Sequence, residues 1–179
     1  MAVLDGAEIA LRQSRGSPPG TWGRRMKAND TAGVIAPPPL IYIAALVVGL
    51  VLRALVPTTF LPRGPAFVLG TVLVAIAVWL SLWGVRVMHR AGTSEKTSLP
   101  TTALVTTGPF RYTRNPLYVS LTLGYLGIAV AAQSLWALAL LIVVLVVMQQ
   151  GVIRREERYL ARRFGADYLR YKERVRRWI

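Results

Sequence analysis

Uncharged apolar residues fall into blocks along the chain. Residues 40–56 are apolar apart from Arg53. As a helix rising 1.5 Å per residue they make about 25 Å, a short span in which Arg53 must snorkel or face protein. Residues 66–85 carry no charge, which predicts a second span continuing to about His89, with Arg86 at its boundary. The 39 residues of 115–153 are also uncharged, too many for one span and about right for two. The "AAQS" at 131–134 is the natural tight turn, which predicts a helical hairpin of 117–132 and 135–153. From Arg154 the pattern changes: Leu160, Phe164, Tyr168, Tyr171, Val175 and Trp178 recur at steps of four and three with arginines between them. That stripe predicts one amphipathic helix over 154–179.

The connections are uneven. "PPPL" at 37–40 sets a rigid start, and "VPTTFLPRGP" at 56–65 is turn-rich. Residues 89–116 form a 28-residue polar stretch without a clear span, and loops of that length tend to carry function. Residues 1–33, with "SRGSPPGTWG", read as a mobile polar tail. They lack the basic, apolar, small-residue order of a cleaved signal peptide.

Composition agrees with a bilayer: 54% of residues are hydrophobic and the mean hydropathy is +0.44. The net charge of +14 raises nucleic acid as a partner, but its placement points elsewhere. Of 22 Lys and Arg, five precede residue 34, four lie in 89–116 and ten follow from Arg154. Basic charge therefore flanks apolar spans, which reads as membrane orientation rather than a groove tracking phosphates. With four spans, those nineteen charges share one side and only Arg63 sits in the opposite turns, the positive-inside pattern with both termini cytoplasmic. The expected architecture is thus an all-α membrane protein: a polar tail (1–33), a four-span domain (34–153) and a cytoplasmic amphipathic helix (154–179). The chain has no cysteine and a single histidine, so thiolate chemistry and His-clustered metal sites are excluded and no metal is expected.

Two polar clusters lie against the spans, "TTGPFRYTRNPLY" at 106–118 and "RREERYLARRFGADYLRYKERVRRW" at 154–178. Each has a plain structural explanation. Asn115 and Pro116 suit the N-cap and first position of a helix, and Gly108-Pro109 is a turn. Arg111, Arg114, Tyr112 and Tyr118 suit interface anchors, while Glu156 and Glu157 can pair with nearby arginines. What distinguishes them is convergence: a hairpin over 115–153 returns its ends to one membrane face. Arginines, carboxylates, a turn with free backbone groups and aromatic faces would then share one space, a set suited to a ligand with a carboxylate, an ammonium group and an aromatic base.

"GPFRYTRNPLY", followed about 40 residues later by "EERYLARRFGADYLRYKERVRRW", resembles the family of membrane methyltransferases that contains isoprenylcysteine carboxyl methyltransferases and phospholipid N-methyltransferases. The motif elements are Gly108, Phe110, Arg114, Asn115, Pro116, Tyr118, Glu156, Glu157, Leu160, Phe164, Gly165, Tyr168 and Tyr171. The resemblance covers about half the chain, residues 86–179. It implies an integral membrane enzyme binding S-adenosylmethionine in a cytoplasm-facing pocket, with a lipidic acceptor entering from the bilayer. Thr107, Gly108, Pro109, Phe110, Asn115, Tyr118, Ser120 and Glu156 would contact the cofactor, and Tyr112 and Arg154 the substrate. Arg114, Asn115 and Glu157 are the candidates for a catalytic part. Asn115 stands where the isoprenylcysteine enzymes have His, and an amide cannot take up a proton as imidazole can. Asn there is common in the phospholipid-methylating relatives, which favours a phospholipid amine over an isoprenylcysteine carboxylate or a small thiol. No GxGxxG occurs, so the doubly wound cofactor fold of soluble methyltransferases is not expected. A non-catalytic membrane scaffold or transporter subunit is the competing class. A transporter would normally place charges or broken helices at mid-membrane, where the hairpin has only Thr122, Gly124, Gly127 and Ser134.

Overall fold

The computed structural model describes residues 33–93 and 101–178, and every regular element among them is helical. The expected polar tail lies, except for Gly33, outside the described residues. Helix α1 is Pro38–Leu55, with prolines in its first turn, and α2 is Arg63–Arg90. A 3-10 turn, Gly108–Arg111, leads to α3, Pro116–Ala131. Helix α4, Leu135–Val147, passes through a π-helical segment, Met148–Ile153, into α5, Arg154–Phe164. Helix α6, Ala166–Arg174, follows.

Three of these helices, Pro38–Leu55, Arg63–Arg90 and the continuous Leu135–Phe164, are long and apolar enough to cross a membrane. Helix α3 is apolar but has 16 residues, about 24 Å against the roughly 30 Å of a hydrocarbon core. Large apolar side chains such as Val47, Val51, Phe67, Trp79, Ile142 and Val146 stay exposed on the outer faces, as a lipid surround allows.

The helices pack through small residues, which let backbones approach where apolar burial alone gives no drive. A Cβ placed on Gly70 would lie 2.5 Å from the Gly127 carbonyl oxygen, so α2 and α3 touch through their backbones. A Cβ on Gly49 would lie 2.6 Å from Ala137 Cα, which does the same for α1 and α4. The core gathers Tyr42, Tyr118, Tyr125, Leu141, Val144, Met148 and Ile153. Polar atoms within it are satisfied: Tyr42 shares a hydrogen bond with Thr122 at 2.8 Å, and Ser134 Oγ donates to the Gly49 carbonyl at 2.9 Å.

At the end of the bundle remote from the 106–118 segment, Gln133, at φ 54°, pins two turns together. It accepts from Phe60 N at 3.2 Å and donates to the Leu61 carbonyl at 2.7 Å, while its own carbonyl accepts from Thr58 Oγ1 and Arg53 Nε. Arg53 thus faces protein, one of the two outcomes expected of it.

Two local features differ from the pattern-based expectation. The single amphipathic helix over 154–179 is divided at Gly165, whose φ of +52° breaks the helix, and the backbone is extended again at Val175. The apolar stretch 135–153 is not uniformly α-helical: its last turn widens into the π segment. One residue added to a turn rotates everything after it by about 100°, which sets the direction in which Glu156 and Glu157 leave the helix.

Candidate active site

The first wall of the site is set by Gly108. Its φ of +60° is a backbone conformation that side chains resist, and a Cβ there would lie 2.8 Å from Val87 Cγ2 and 3.3 Å from Trp83 Nε1. Only glycine lets the 3-10 turn lie flat on α2. Pro109 is then buried against that helix, and Phe110 is carried toward α6, where its carbonyl accepts a hydrogen bond from Tyr171 OH at 2.7 Å.

The second wall is the C-terminal segment, which runs beside residues 113–115. Arg114 N donates to the Arg176 carbonyl at 2.9 Å, and the Arg177 carbonyl accepts from both Thr113 Oγ1 at 3.1 Å and Asn115 Nδ2 at 2.9 Å. Trp178 Nε1 donates to Gln149 Oε1 at 3.2 Å. Asn115 holds the N-cap position of α3, but its side chain makes no capping bond. The amide is committed to the C-terminal segment instead.

Around these walls the charges sort themselves. Arg177 grips Glu157 through both carboxylate oxygens, Nε to Oε1 at 2.8 Å and Nη2 to Oε2 at 2.7 Å, and Arg114 Nη1 approaches Oε1 at 3.1 Å. The Glu157 hydrogen bond, the largest influence on Arg177, holds that guanidinium firmly charged against the opposing effect of burial. The Arg114 side chain is only 8% exposed, and its Nε and Nη1 are buried without a hydrogen-bond acceptor. Glu156 has different company. Its Oε1 accepts from Tyr118 OH at 2.6 Å, and no Lys or Arg among the described residues stands within ion-pair distance of it. Glu156 lies beyond the uncharged stretch 115–153, ringed by protein yet reached from the cavity. Burial pushes its carboxyl up to about 7; the Tyr118 hydrogen bond opposes this and the neighbouring Glu157 charge adds to it. Burial likewise raises the Tyr168 and Tyr171 hydroxyls, keeping them neutral.

Together these groups enclose a cavity of about 570 Å³, within the range of small-molecule sites. Phe110, Arg114, Asn115, Tyr118, Glu156 and Glu157 all line it, so both ends of the hairpin reach one space. Apolar walls come from Pro37, Pro38 and Pro39 before and within α1, from Val85 and Met88 of α2, and from Leu117 and Leu121 of α3. The other sequence candidates lie off the wall. Thr107 is exposed, Gly108 and Pro109 pack on α2, and Ser120 is buried with its hydroxyl on the Leu117 carbonyl at 2.7 Å. Tyr112 is 71% exposed, and exposed Arg154 donates to Gln150 at 2.6 Å.

Thr93, Thr101 and Tyr159 are additional lining residues, with Tyr159 OH accepting from Thr101 N at 3.2 Å. Arg177 was also beyond reach of sequence: among ten basic residues in the last 26, no spacing marks it as the partner of Glu157.

Known proteins match this chain in part. A relative from Cupriavidus metallidurans, "Cobalt-zinc-cadmium resistance protein CzcN", is 44% identical over 69 residues, 37% of this chain and 32% of that protein. "Nickel-cobalt-cadmium resistance protein NccN" of Alcaligenes xylosoxydans xylosoxydans is 39% identical over 71 residues, 38% and 33% respectively. An uncharacterised protein of Haemophilus influenzae is 50% identical over 38 residues, 21% of this chain and 60% of that one. The matched stretch thus spans about a third of the length of the two resistance proteins. Residues 65–167, more than half the chain and including both polar clusters up to Asp167, match the phospholipid methyltransferase family, and the chain belongs to that family of membrane methyltransferases.

Proposed function

We propose that this protein transfers a methyl group from S-adenosylmethionine to a lipidic acceptor, with a phospholipid amine favoured. The observation that carries the reading is the cavity at the hairpin ends, where an arginine, a cation-free carboxylate and several aromatic rings face one another beside apolar walls. The donor set fits that cofactor. Arg114 contacts Glu157 through Nη1 and keeps Nε buried without a hydrogen-bond acceptor, which suits it to a carboxylate as well. Glu156 suits an ammonium or ribose hydroxyl, and Phe110, Tyr159 and Tyr168 offer faces to a base or a sulfonium. When bound, the cofactor supplies a methyl group on positively charged sulfur.

The chain's own work is then positioning and exclusion of water. The Glu157–Arg177 pair and the Asn115 amide hold the C-terminal segment against residues 113–115, and Tyr171 ties α6 to the turn at Phe110. The apolar wall between the start of α1 and the end of α2 suits acyl chains. The two resistance proteins carry metals in their names. Among the described residues, no three of His, Asp and Glu converge as metal ligands, so a metal forms no part of this proposal.

The test is calorimetric titration of the detergent-solubilised protein with S-adenosylmethionine, paired with transfer of labelled methyl to vesicles containing phosphatidylethanolamine. Micromolar binding with label in the lipid is expected. No binding at millimolar cofactor would return the chain to the non-catalytic class. Binding with label only on a prenylated cysteine carboxylate or a small thiol would move the acceptor instead.

A further inference from the structure

The cavity wall at the start of α1 differs in kind from the rest. Pro37, Pro38 and Pro39 all line it, and proline has no backbone N–H. The Pro37 carbonyl is already used, accepting from Leu40 N at 3.0 Å. Three consecutive residues therefore offer the cavity carbon and no hydrogen-bond donor, while Arg114, Glu156, Glu157 and the tyrosines reach it from other elements. Proline also fixes φ, so this wall is stiff, and where it stands depends on what holds its two ends.

One end is held from within the bundle by the Tyr42 hydrogen bond to Thr122, one turn into α1. The other end is held by a strap, residues 33–36, that runs back to the π segment and α5. Arg155 Nη1 donates to the Gly33 carbonyl at 2.8 Å, and Val34 packs against the core. Ile35 lies on Gly151, the buried glycine of the π segment: a Cβ there would collide with Ile35 Cδ1 and stand 3.2 Å from its Cγ1. Glycine at 151 thus leaves a shallow seat, which an isoleucine otherwise 63% exposed fills with its tip.

We infer that Ile35, Gly151 and Arg155 are positioning residues for the acceptor: the strap they fasten fixes the proline wall against which the acceptor's apolar chain lies. This inference rests on the lipidic-acceptor reading above. None of the three lines the cavity itself, so their influence runs through the prolines. A wall already in place lowers the cost of ordering the bound chain, and its effect falls on acceptor affinity rather than on cofactor binding.

The experiment reconstitutes the full chain into vesicles containing phosphatidylethanolamine. Methyl transfer is measured against lipid concentration, and S-adenosylmethionine affinity by calorimetry. Gly151→Ala displaces the tip of Ile35, a flexible end that yields at little cost to folding. Its KM for lipid is expected to rise roughly fivefold, with kcat and cofactor affinity within about twofold of wild type. Adding Ile35→Ala should bring KM back toward wild type, because the new Cβ then meets the Cβ of residue 35 at 3.9 Å, an ordinary contact. The same spacing suits a disulfide, and the chain has no cysteine of its own. Ile35→Cys with Gly151→Cys should therefore cross-link on oxidation and, once cross-linked, keep a KM within about twofold of wild type. Should Gly151→Ala fail to fold, Arg155→Ala, which drops the Gly33 bond, carries the same test. A pair that does not cross-link removes the seat, and transfer abolished by the cross-link but restored by reductant makes the strap a gate; either overturns the inference. So does an unchanged KM in the loosened variants, or an equal loss of lipid and cofactor affinity. A wild-type protein that binds cofactor yet methylates no lipid overturns the acceptor reading and this inference with it, an outcome told apart by a pair that still cross-links.

Discussion

Glu157 is the residue on which the C-terminal segment depends, because Arg177 reaches it with two short hydrogen bonds from a chain that has left its last helix. Arg177→Ala leaves a buried carboxylate with the Arg114 contact at 3.1 Å as its remaining ion pair among the described residues, and removing one partner of a buried pair is costly. Since Arg177 keeps 30% of its side chain exposed and Arg114 remains, a loss of about 2 kcal/mol is expected, read as an earlier unfolding midpoint in detergent. Glu156 gives a prediction of opposite sign. Its folded carboxyl is raised to about 7 from an ordinary 4.5, so its contribution is intact below 4.5 and is lost as the pH rises through 7. Glu156→Gln, which keeps the oxygen that accepts from Tyr118, should therefore melt a few degrees above wild type at pH 8, the scale of about 1 kcal/mol in a chain this long, and equal it near pH 4.5. A thermal series across that range checks both the sign and the window. Much of this site was legible in the motifs, since Phe110, Arg114, Asn115, Tyr118, Glu156 and Glu157 do meet. Ser120 was not separable from them by sequence: two residues beyond Tyr118 is about 200° around a helix, so it turns to the opposite side and bonds its own backbone.

The contact between α2 and α3 rests on Gly70 and Gly127, each of which would push a Cβ into the other's carbonyl. Backbone cannot yield as a side chain tip can, so Gly127→Ala should separate the helices and cost about 1–3 kcal/mol despite alanine's better helix propensity. Gly124→Ala, whose Cβ would meet only Ala77 Cβ at 3.6 Å, should be neutral or slightly stabilising, and side-by-side unfolding titrations of the two variants separate packing from propensity. Element boundaries were well marked in the sequence because prolines and charges bracket the blocks: the expected 40–56 and 117–132 became Pro38–Leu55 and Pro116–Ala131. The π segment had no such marker. Within a stretch apolar on all faces, periodicity carries no information about an extra residue in one turn. The break at Gly165 was hidden differently, because the aromatic stripe runs on across it, with Tyr168 and Tyr171 buried after the chain has bent.

For the whole molecule, the open question of topology turns on α3, whose 16 residues are few for a span. Its two ends are tied to opposite ends of the bundle. Pro116 and Tyr118 line the cavity with Pro37, Pro38 and Met88, whereas Gln133 is bonded to Phe60 and Leu61 in the turn between α1 and α2. If α1 crosses the bilayer, α3 travels the same distance in the same direction, and local thinning or flanking polar residues can absorb its shortness. Among the described residues, basic side chains crowd the cavity end, with Arg86, Arg90, Arg111 and Arg114 joined by the C-terminal helices, while Arg53 and Arg63 are alone at the other. We propose four spans with the cavity on the cytoplasmic side, an arrangement consistent with both observations. The cysteine-free chain makes this easy to test, since single cysteines introduced at exposed Thr59, Arg111 and Arg170 would be the only thiols present. An impermeant maleimide added to intact cells should label Thr59→Cys alone, and Arg111→Cys and Arg170→Cys only after the membrane is opened. Labelling of Thr59→Cys together with Arg170→Cys in intact cells would put the charged helices outside, and with them a cavity that no cytoplasmic cofactor reaches.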